Sequence, residues 1–309
     1  MSDFHVLGLS CSCWDMLGIV ERYPALDEKI GMAELIEQGG GLTATALAAV
    51  GKLGGRATML GNVGGDSAGQ SIIAALQSVG VDTSELRIIP GTRSRFAFCV
   101  IHAATGQRSI FFDAGTAGTP APEEIDPALI ARAQVVLIDG TSGEGGVRAA
   151  QIAREQGKPV VLDIERSSPG SEALIRWSTQ PVIPAHYAAS FAASGAVLDG
   201  CRAVQQLGPD TVVATLGDAG CVAVEGDVIH RVPAFEAPVV DTTGAGDVFH
   251  GAFAFGLALG KPLADNLVFA SAAAALSCRA LGGRAGLATM GEVEALLANG
   301  RQRSDEGLP

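Results

Sequence analysis

The sequence predicts an α/β fold: a central, mostly parallel sheet flanked by helices, with a small β-sheet beside it. Three observations carry this expectation. Short apolar runs alternate with alanine-rich helical stretches along most of the chain, the pattern of strands covered on both faces by crossover helices. Glycines stop the early helices, at Gly54-Gly55 after 43–53 and at Gly80 after 67–79. Two patches, 14–37 and 95–113, break the alternation and read as inserted β-structure that forms a small sheet over one edge of the site.

Taken in order, a strand over 4–10 opens the chain. Irregular strands follow over 14–37, then a helix over 43–53, a strand over 57–63 and a helix over 67–79. Runs 95–103 and 108–113 with Thr105-Gly106 between them predict a hairpin. A strand at 134–139, a helix at 146–156 and a strand at 159–163 resume the alternation. A strand at 211–216 precedes a hairpin of 221–224 with 228–231, and helices at 248–258, 263–281 and 290–298 close the body. The segment 300–309 reads as a frayed tail. With neither an internal repeat nor a Pro/Ser linker, 1–309 is expected to be one domain carrying a discontinuous β-insert.

Composition narrows the function. Hydrophobic residues make up 48% of the 309, enough for a large core. A formal net charge of −12 argues against nucleic acid or an anionic membrane as a partner through a general field. The six cysteines form no CxxC pair, which suits reduced, buried thiols in a cytoplasmic protein. The start has no signal-peptide pattern, and the longest apolar run, 267–278, is short of the roughly 20 residues a bilayer span needs.

The chemistry concentrates in Asp241-Thr242-Thr243-Gly244-Ala245-Gly246-Asp247, followed by the apolar start Val248-Phe249-His250-Gly251. Gly244 and Gly246 allow backbone N–H groups to converge at a helix N-terminus, a nest for an anion. Asp247, in that first turn, can accept a proton from a hydroxyl held beside the nest. A base on the nucleophile and donors for developing charge are the two needs of phosphoryl transfer. An Asp N-cap after a glycine loop is the bland alternative.

This string resembles the DTxGAGD signature of the PfkB/ribokinase carbohydrate kinase family, and further landmarks in order extend the resemblance over nearly the whole chain. It implies a ribokinase-like fold with a β-lid from about 14–37 and 95–113. It also implies an ATP-dependent kinase acting on a sugar hydroxyl, with Asp247 as base and Gly244, Ala245 and Gly246 as the anion hole. Asp15 matches the family's sugar-hydroxyl ligand, and Gly39-Gly40-Gly41 its Gly-Gly substrate motif, with Gly40 and Gly41 approaching the sugar. Gly61, Gly64, Asp66 and Gly69 continue that motif. Thr215, Gly217 and Gly220 match the ATP-contacting Thr-x-Gly-x-x-Gly, for which a hairpin turn is the rival reading. Ser271 and the stretch 282–286 match the border of the adenine pocket. The resemblance further implies ATP and Mg²⁺ as cofactors, K⁺ held by Asp241 and Thr243 or else loop bracing by that pair, and a homodimer formed through the lid.

Departures shape the substrate expectation. Ala44 stands where the family usually has Asn, and 183–186 lacks the Asn-x-x-Glu carboxylate that orders Mg²⁺, leaving the ATP phosphates to carry most of its coordination. The runs 39–46 and 241–252 look most like the bacterial sulfofructose kinases, whose basic sulfonate ligand Lys29 matches. The other sulfonate positions fall at Phe112 and Thr141, which cannot replace an amide and an arginine, so a less anionic or differently shaped substrate is expected. A nucleoside kinase stays open, with Phe96, Phe98, Phe111 and Phe112 either stacking a base or filling a lid core. A non-catalytic sugar-binding regulator and a dinucleotide-binding enzyme reading Gly39-Gly40-Gly41-Leu42-Thr43-Ala44 are the other rivals. Arg108 and Arg284 read as solvated charges, and His250 as a helix-packing or capping residue that shares a face with Asp247.

Overall fold

A computed structural model describes residues 5–305 and 308–309; Phe4, at the head of the first predicted strand, lies outside them. In chain order the strands are β1 (His5–Leu9), β2 (Cys13–Val20), β3 (Glu34–Gly40), β4 (Arg56–Gly64), β5 (Val81–Asp82), β6 (Leu86–Ile89) and β7 (Phe96–His102). They continue as β8 (Arg108–Asp113), β9 (Val135–Asp139), β10 (Val160–Asp163), β11 (Gln180–Pro184), β12 (Thr211–Thr215), β13 (Gly220–Glu225) and β14 (Val228–Pro233). The helices are α1 (Leu42–Lys52), α2 (Ser67–Ser78), α3 (Pro127–Arg132), α4 (Gly143–Glu155) and α5 (Ser171–Trp177). After them come α6 (Ala185–Ala189), α7 (Val197–Gln205), α8 (Ala245–Ala258), α9 (Leu263–Ser277) and α10 (Met290–Asn299).

The larger sheet runs β14-β13-β12-β11-β10-β9-β1-β4-β5, with β6 also paired to β4. It is parallel from β12 to β5, while β13 and β14 add an antiparallel edge. Its central strands are apolar on both faces for a topological reason. In β9, Val135 and Leu137 enter one core layer with α1, α8 and α9, while Val136 and Ile138 enter the opposite layer with α3, α4 and α7. Each alternate side chain thus meets a helix layer, and the strand reads as a continuous apolar run.

The second sheet has the order β3-β2-β7-β8, in which β2 and β7 are parallel and the outer pairs antiparallel. Its strands come from the two patches that broke the alternation. Its buried face is Cys13, Leu17, Ala97, Cys99 and Ile101, packed on Leu281. The register sets Gln38, Asp15, Ala97 and Phe112 in one row across that face.

Three sequence expectations are corrected. Phe111 and Phe112 are not lid core: they are 63% and 59% exposed, because β8 is an edge strand with both faces open. Residues 301–303 are not frayed but pair with 234–236: Glu236 N–H donates to the Arg301 carbonyl at 2.8 Å and Arg303 N–H to the Ala234 carbonyl at 2.8 Å. The helix expected over 263–281 ends at Ser277, and the next residues turn back as Asp241 accepts from the Gly282 amide. All six cysteines are buried and unpaired, as expected. Among the described residues, no helix is long and apolar enough to cross a membrane.

Helices α1 and α8 press backbone to backbone, and a Cβ on Gly251 would collide with the Ala46 carbonyl. Gly251→Val is therefore expected to lower the unfolding free energy by about 1–3 kcal/mol. Denaturant titration checks this, and an unchanged midpoint would contradict the close packing.

Candidate active site

Parallel α/β sheets leave their ligand crevices at the carboxyl ends of the strands. Here β9 and β10 end on acids: Asp139 and Asp163 are both buried and sit opposite each other in the register. Asp139 accepts four hydrogen bonds, from Cys11 N–H at 2.8 Å, Thr43 Oγ1 at 2.6 Å, Thr141 N–H at 2.8 Å and Thr141 Oγ1 at 2.6 Å. This carboxylate ties the segment after β1, the start of α1 and the turn after β9 into one block. Thr141 is thereby engaged in bracing.

The loop before α8 delivers the predicted acid. Gly244 is the N-cap with φ of 74°, a left-handed turn that L side chains rarely adopt, and a Cβ there would press on Gly283. Asp247 follows in the first helical turn. Burial pushes its carboxyl well above the usual range, the nearby Asp163 adds to the rise, and His250 opposes it. Asp163 is raised by burial first, then by Glu165 and Asp139. His250 Nδ1 lies 2.7 Å from the Gly246 carbonyl, and its Nε2 lies 2.9 Å from the Val182 carbonyl and 3.5 Å from Asp163 Oδ1. Both ring nitrogens therefore sit within hydrogen-bond distance of a carbonyl acceptor. His250 thus does more than pack: it links the helix start to β11 and faces an acid.

Asp241 and Thr243 are occupied with each other. Asp241 Oδ1 accepts from Thr243 N–H at 2.9 Å and Thr243 Oγ1 at 2.8 Å, and its Oδ2 accepts from Gly282 N–H at 2.8 Å. These bonds brace the loop against 282.

One side of this loop opens on a cavity of about 450 Å³. Thr215, Gly217, Gly220, Gly246 and Ser271, five of the residues expected at the nucleotide, line it together with Phe249. The segment 215–220 is indeed a hairpin turn, joining antiparallel β12 and β13, so the rival reading and the cavity-lining one both describe it.

The other side faces the small sheet. A Cβ on Gly40 would collide with the Asp15 carboxylate, and one on Gly39 with the Arg284 guanidinium, so both glycines serve close approach. Asp15 is half-buried; burial raises its carboxyl, while a Cys13 hydrogen bond and the charge of Arg284 hold it down. Arg284 is a correction: it is a half-buried, anchored cation rather than a solvated one. Its Nη2 donates to the Gly40 carbonyl at 2.9 Å and its Nε to Thr45 Oγ1 at 3.3 Å. Burial lowers its pKa to about 10, so it stays charged, and Asp15 and Asp247 both lie in its field. Gln38, unmarked in the sequence analysis, shares the Asp15 row and has a buried Nε2 with no partner. Only the alternation of β3 could have pointed to it.

The remaining expected residues stand apart. Lys29 is exposed on the connection between β2 and β3. Ala44 is fully buried, its amide donating to the Cys11 carbonyl at 3.1 Å. Asp66 caps α2 by accepting from Gly69 N–H at 2.9 Å and also holds Ser94, with Gly64 beside it, so this glycine-acid stretch anchors α2 to the segment before β7.

Comparison with known proteins decides the class: the description pfkB family carbohydrate kinase matches residues 12–290. The chain belongs to the pfkB family of carbohydrate kinases. It is an ATP-dependent carbohydrate kinase, which sets aside the dinucleotide-binding reading. Ribokinase of Bacillus subtilis is 31% identical over 306 residues, 96% of this kinase and 100% of the relative. A structure from Agrobacterium tumefaciens provisionally called a ribokinase is 30% identical, with a TM-score of 0.87 over 96% of this kinase and 97% of that chain. The Arabidopsis thaliana ribokinase complexed with ribose and ATP shares the fold at 24% identity, with a TM-score of 0.81 over 97% and 100% of the two chains.

In this kinase Asp139→Asn would turn one accepting oxygen into a donor that faces donors. The substitution is expected to cost about 2–4 kcal/mol of stability, read as a lower denaturation midpoint. Wild-type stability in the variant would show that the four bonds contribute little.

Proposed function

We propose that this kinase transfers the γ-phosphoryl group of ATP to a hydroxyl, a primary one, of a sugar or sugar derivative, with Asp247 as general base. The observation that carries the reading is the adjacency of Gly246 and Asp247 in one helical turn. Gly246 lines the nucleotide-sized cavity, while Asp247 lies in the field of Arg284, which also reaches Asp15. A donor on one side and an acceptor on the other would meet at this turn.

In this reading ATP lies across Thr215, Gly217, Gly220 and Ser271, with its terminal phosphates toward the amides of Gly244, Ala245 and Gly246. Those amides and the α8 dipole stabilise charge on the phosphoryl group in transit. The acceptor sits on the Asp15 face of the small sheet, its hydroxyls held by Asp15 and by the backbone of Gly40 and Gly41, with Phe112 at the edge strand. Asp247 takes the hydroxyl proton as the oxygen attacks phosphorus in line. The small sheet, acting as a lid, excludes water and so limits hydrolysis of ATP. Magnesium would neutralise phosphate charge. Among the described residues no three His, Cys, Asp or Glu side chains converge as ligands, so phosphates and water would hold the ion.

The exposed Phe112 in the Asp15 row also supports a nucleoside as acceptor, since an aromatic face there would stack on a base. A screen of keto-sugars, sugar phosphates, sulfosugars and nucleosides by coupled ADP release separates the two. ADP release with none of them would count against the kinase reading as drawn.

Asp247→Asn is expected to lower kcat by about 10²–10⁴ while acceptor and nucleotide still bind in calorimetry; near-wild-type turnover would remove Asp247 as the base. The pH dependence follows from the raised carboxyl. The base works ionised, so kcat falls as pH drops through a value above the ordinary Asp range of about 4. An acid limb at or below that ordinary value would contradict the assignment.

The face of the small sheet turned away from Cys99 leaves Leu35 and Phe111 exposed, with Met32 of the β2–β3 connection also exposed near Gly18, an apolar surface suited to pairing with a second copy. Phe111→Glu is expected to convert a homodimer to a monomer in light scattering; an unchanged mass would move the interface elsewhere.

A further inference from the structure

We propose that residues 301–303 form a strap over the nucleotide cavity and that Arg303 contacts the bound nucleoside triphosphate. The inference rests on the reading of that cavity as the ATP site and adds a residue that no sequence motif marks.

The strap is defined by main-chain bonds. Gln302 faces Phe235 in an antiparallel bridge, flanked by Glu236 N–H to the Arg301 carbonyl at 2.8 Å and Arg303 N–H to the Ala234 carbonyl at 2.8 Å. The Gln302 amide adds a bond from Nε2 to the Pro233 carbonyl at 3.1 Å. The stretch it grips is a cavity wall, since Ala234 and Phe235 both line the space. Docking the strap therefore fixes one side of the site.

Arg303 itself also lines the cavity, and Nη1 donates to Asp218 Oδ2 at 3.1 Å across the Gly217–Ala219 turn. The two side chains are 44% and 86% exposed. An exposed ion pair contributes about 0–1 kcal/mol, too little for stability to be its evident use. Chemistry offers a better one. Arg303 is the one basic side chain among the described residues that line this cavity. The protein carries a net charge of −12, while the ligand is a polyanion with a flat base. A guanidinium held by Asp218 at the rim supplies either a phosphate partner or a planar stacking surface. Because nucleotide and strap would touch, each stabilises the other in its bound place.

The test uses the full chain and a non-hydrolysable ATP analogue. Titration calorimetry is expected to show binding by the wild type and roughly tenfold weaker binding by Arg303→Gln, the loss of one charge-assisted contact. Arg303→Lys should fall between them. Saturating analogue should slow tryptic cleavage after Arg301 and Arg303 several-fold. The melting temperature of ligand-free Arg303→Gln should stay at the wild-type value, which separates a lost contact from a lost fold. Equal affinity in wild type and Arg303→Gln overturns the role of Arg303, and cleavage rates blind to the analogue overturn the strap. Absence of binding by the wild type would instead overturn the nucleotide reading of the cavity, so the two failures are distinguishable.

Discussion

Acids stand within one another's field where the parallel strands end, and offsetting their charge is the constraint that the surrounding structure answers. Asp139 and Asp163 close neighbouring strands in register, and Asp247 arrives on the first turn of α8. Like charges placed opposite each other in a low-dielectric setting are costly unless each is offset. Asp139 is offset by four donors. Asp163 and Asp247 are less well answered: burial first, then neighbouring acids, drives both carboxyls upward. His250 lies 3.5 Å from Asp163, and the Arg284 guanidinium has Asp247 in its field. The same arrangement that burdens the fold creates an acid poised to take up a proton.

The body of the fold was legible because its signals are local. Strands buried on both faces read as apolar runs, and the helices between them end at glycines. The segment 164–210 was harder. Gln180–Pro184 is a central strand with prolines at positions 181 and 184, a composition that argues against a central strand. It is tolerated because Pro181 and Pro184 lie near the strand ends, where a missing N–H disrupts least. The pairing of 301–303 with 234–236 was invisible for a different reason: it is a bond between main chains far apart in sequence, and no side chain advertises it.

At the site, the residues that were legible belong to continuous strings. The loop 241–247 and the turn 215–220 announce themselves by glycine spacing, and the cavity brings them together. What could not be read was environment. Arg284 looks like any surface arginine in the sequence, yet it is half-buried and hydrogen-bonded to two elements that lie more than two hundred positions away from it. Gln38 and Asp139 carry no motif either; their importance comes from register and from which ends of strands converge.

The junction between β3 and α1 has a mechanical consequence. The strand ends at Gly40 and the helix begins at Leu42, so Gly41 alone separates the small sheet from the body at this point. There is no slack loop to absorb a displacement. Any swing of the small sheet must be levered through Gly40 and Gly41 themselves, against a helix start clamped to Asp139 through Thr43. In the proposed reading, recognition and closure share one pivot, and a molecule that presses on that backbone pulls directly on the sheet above it.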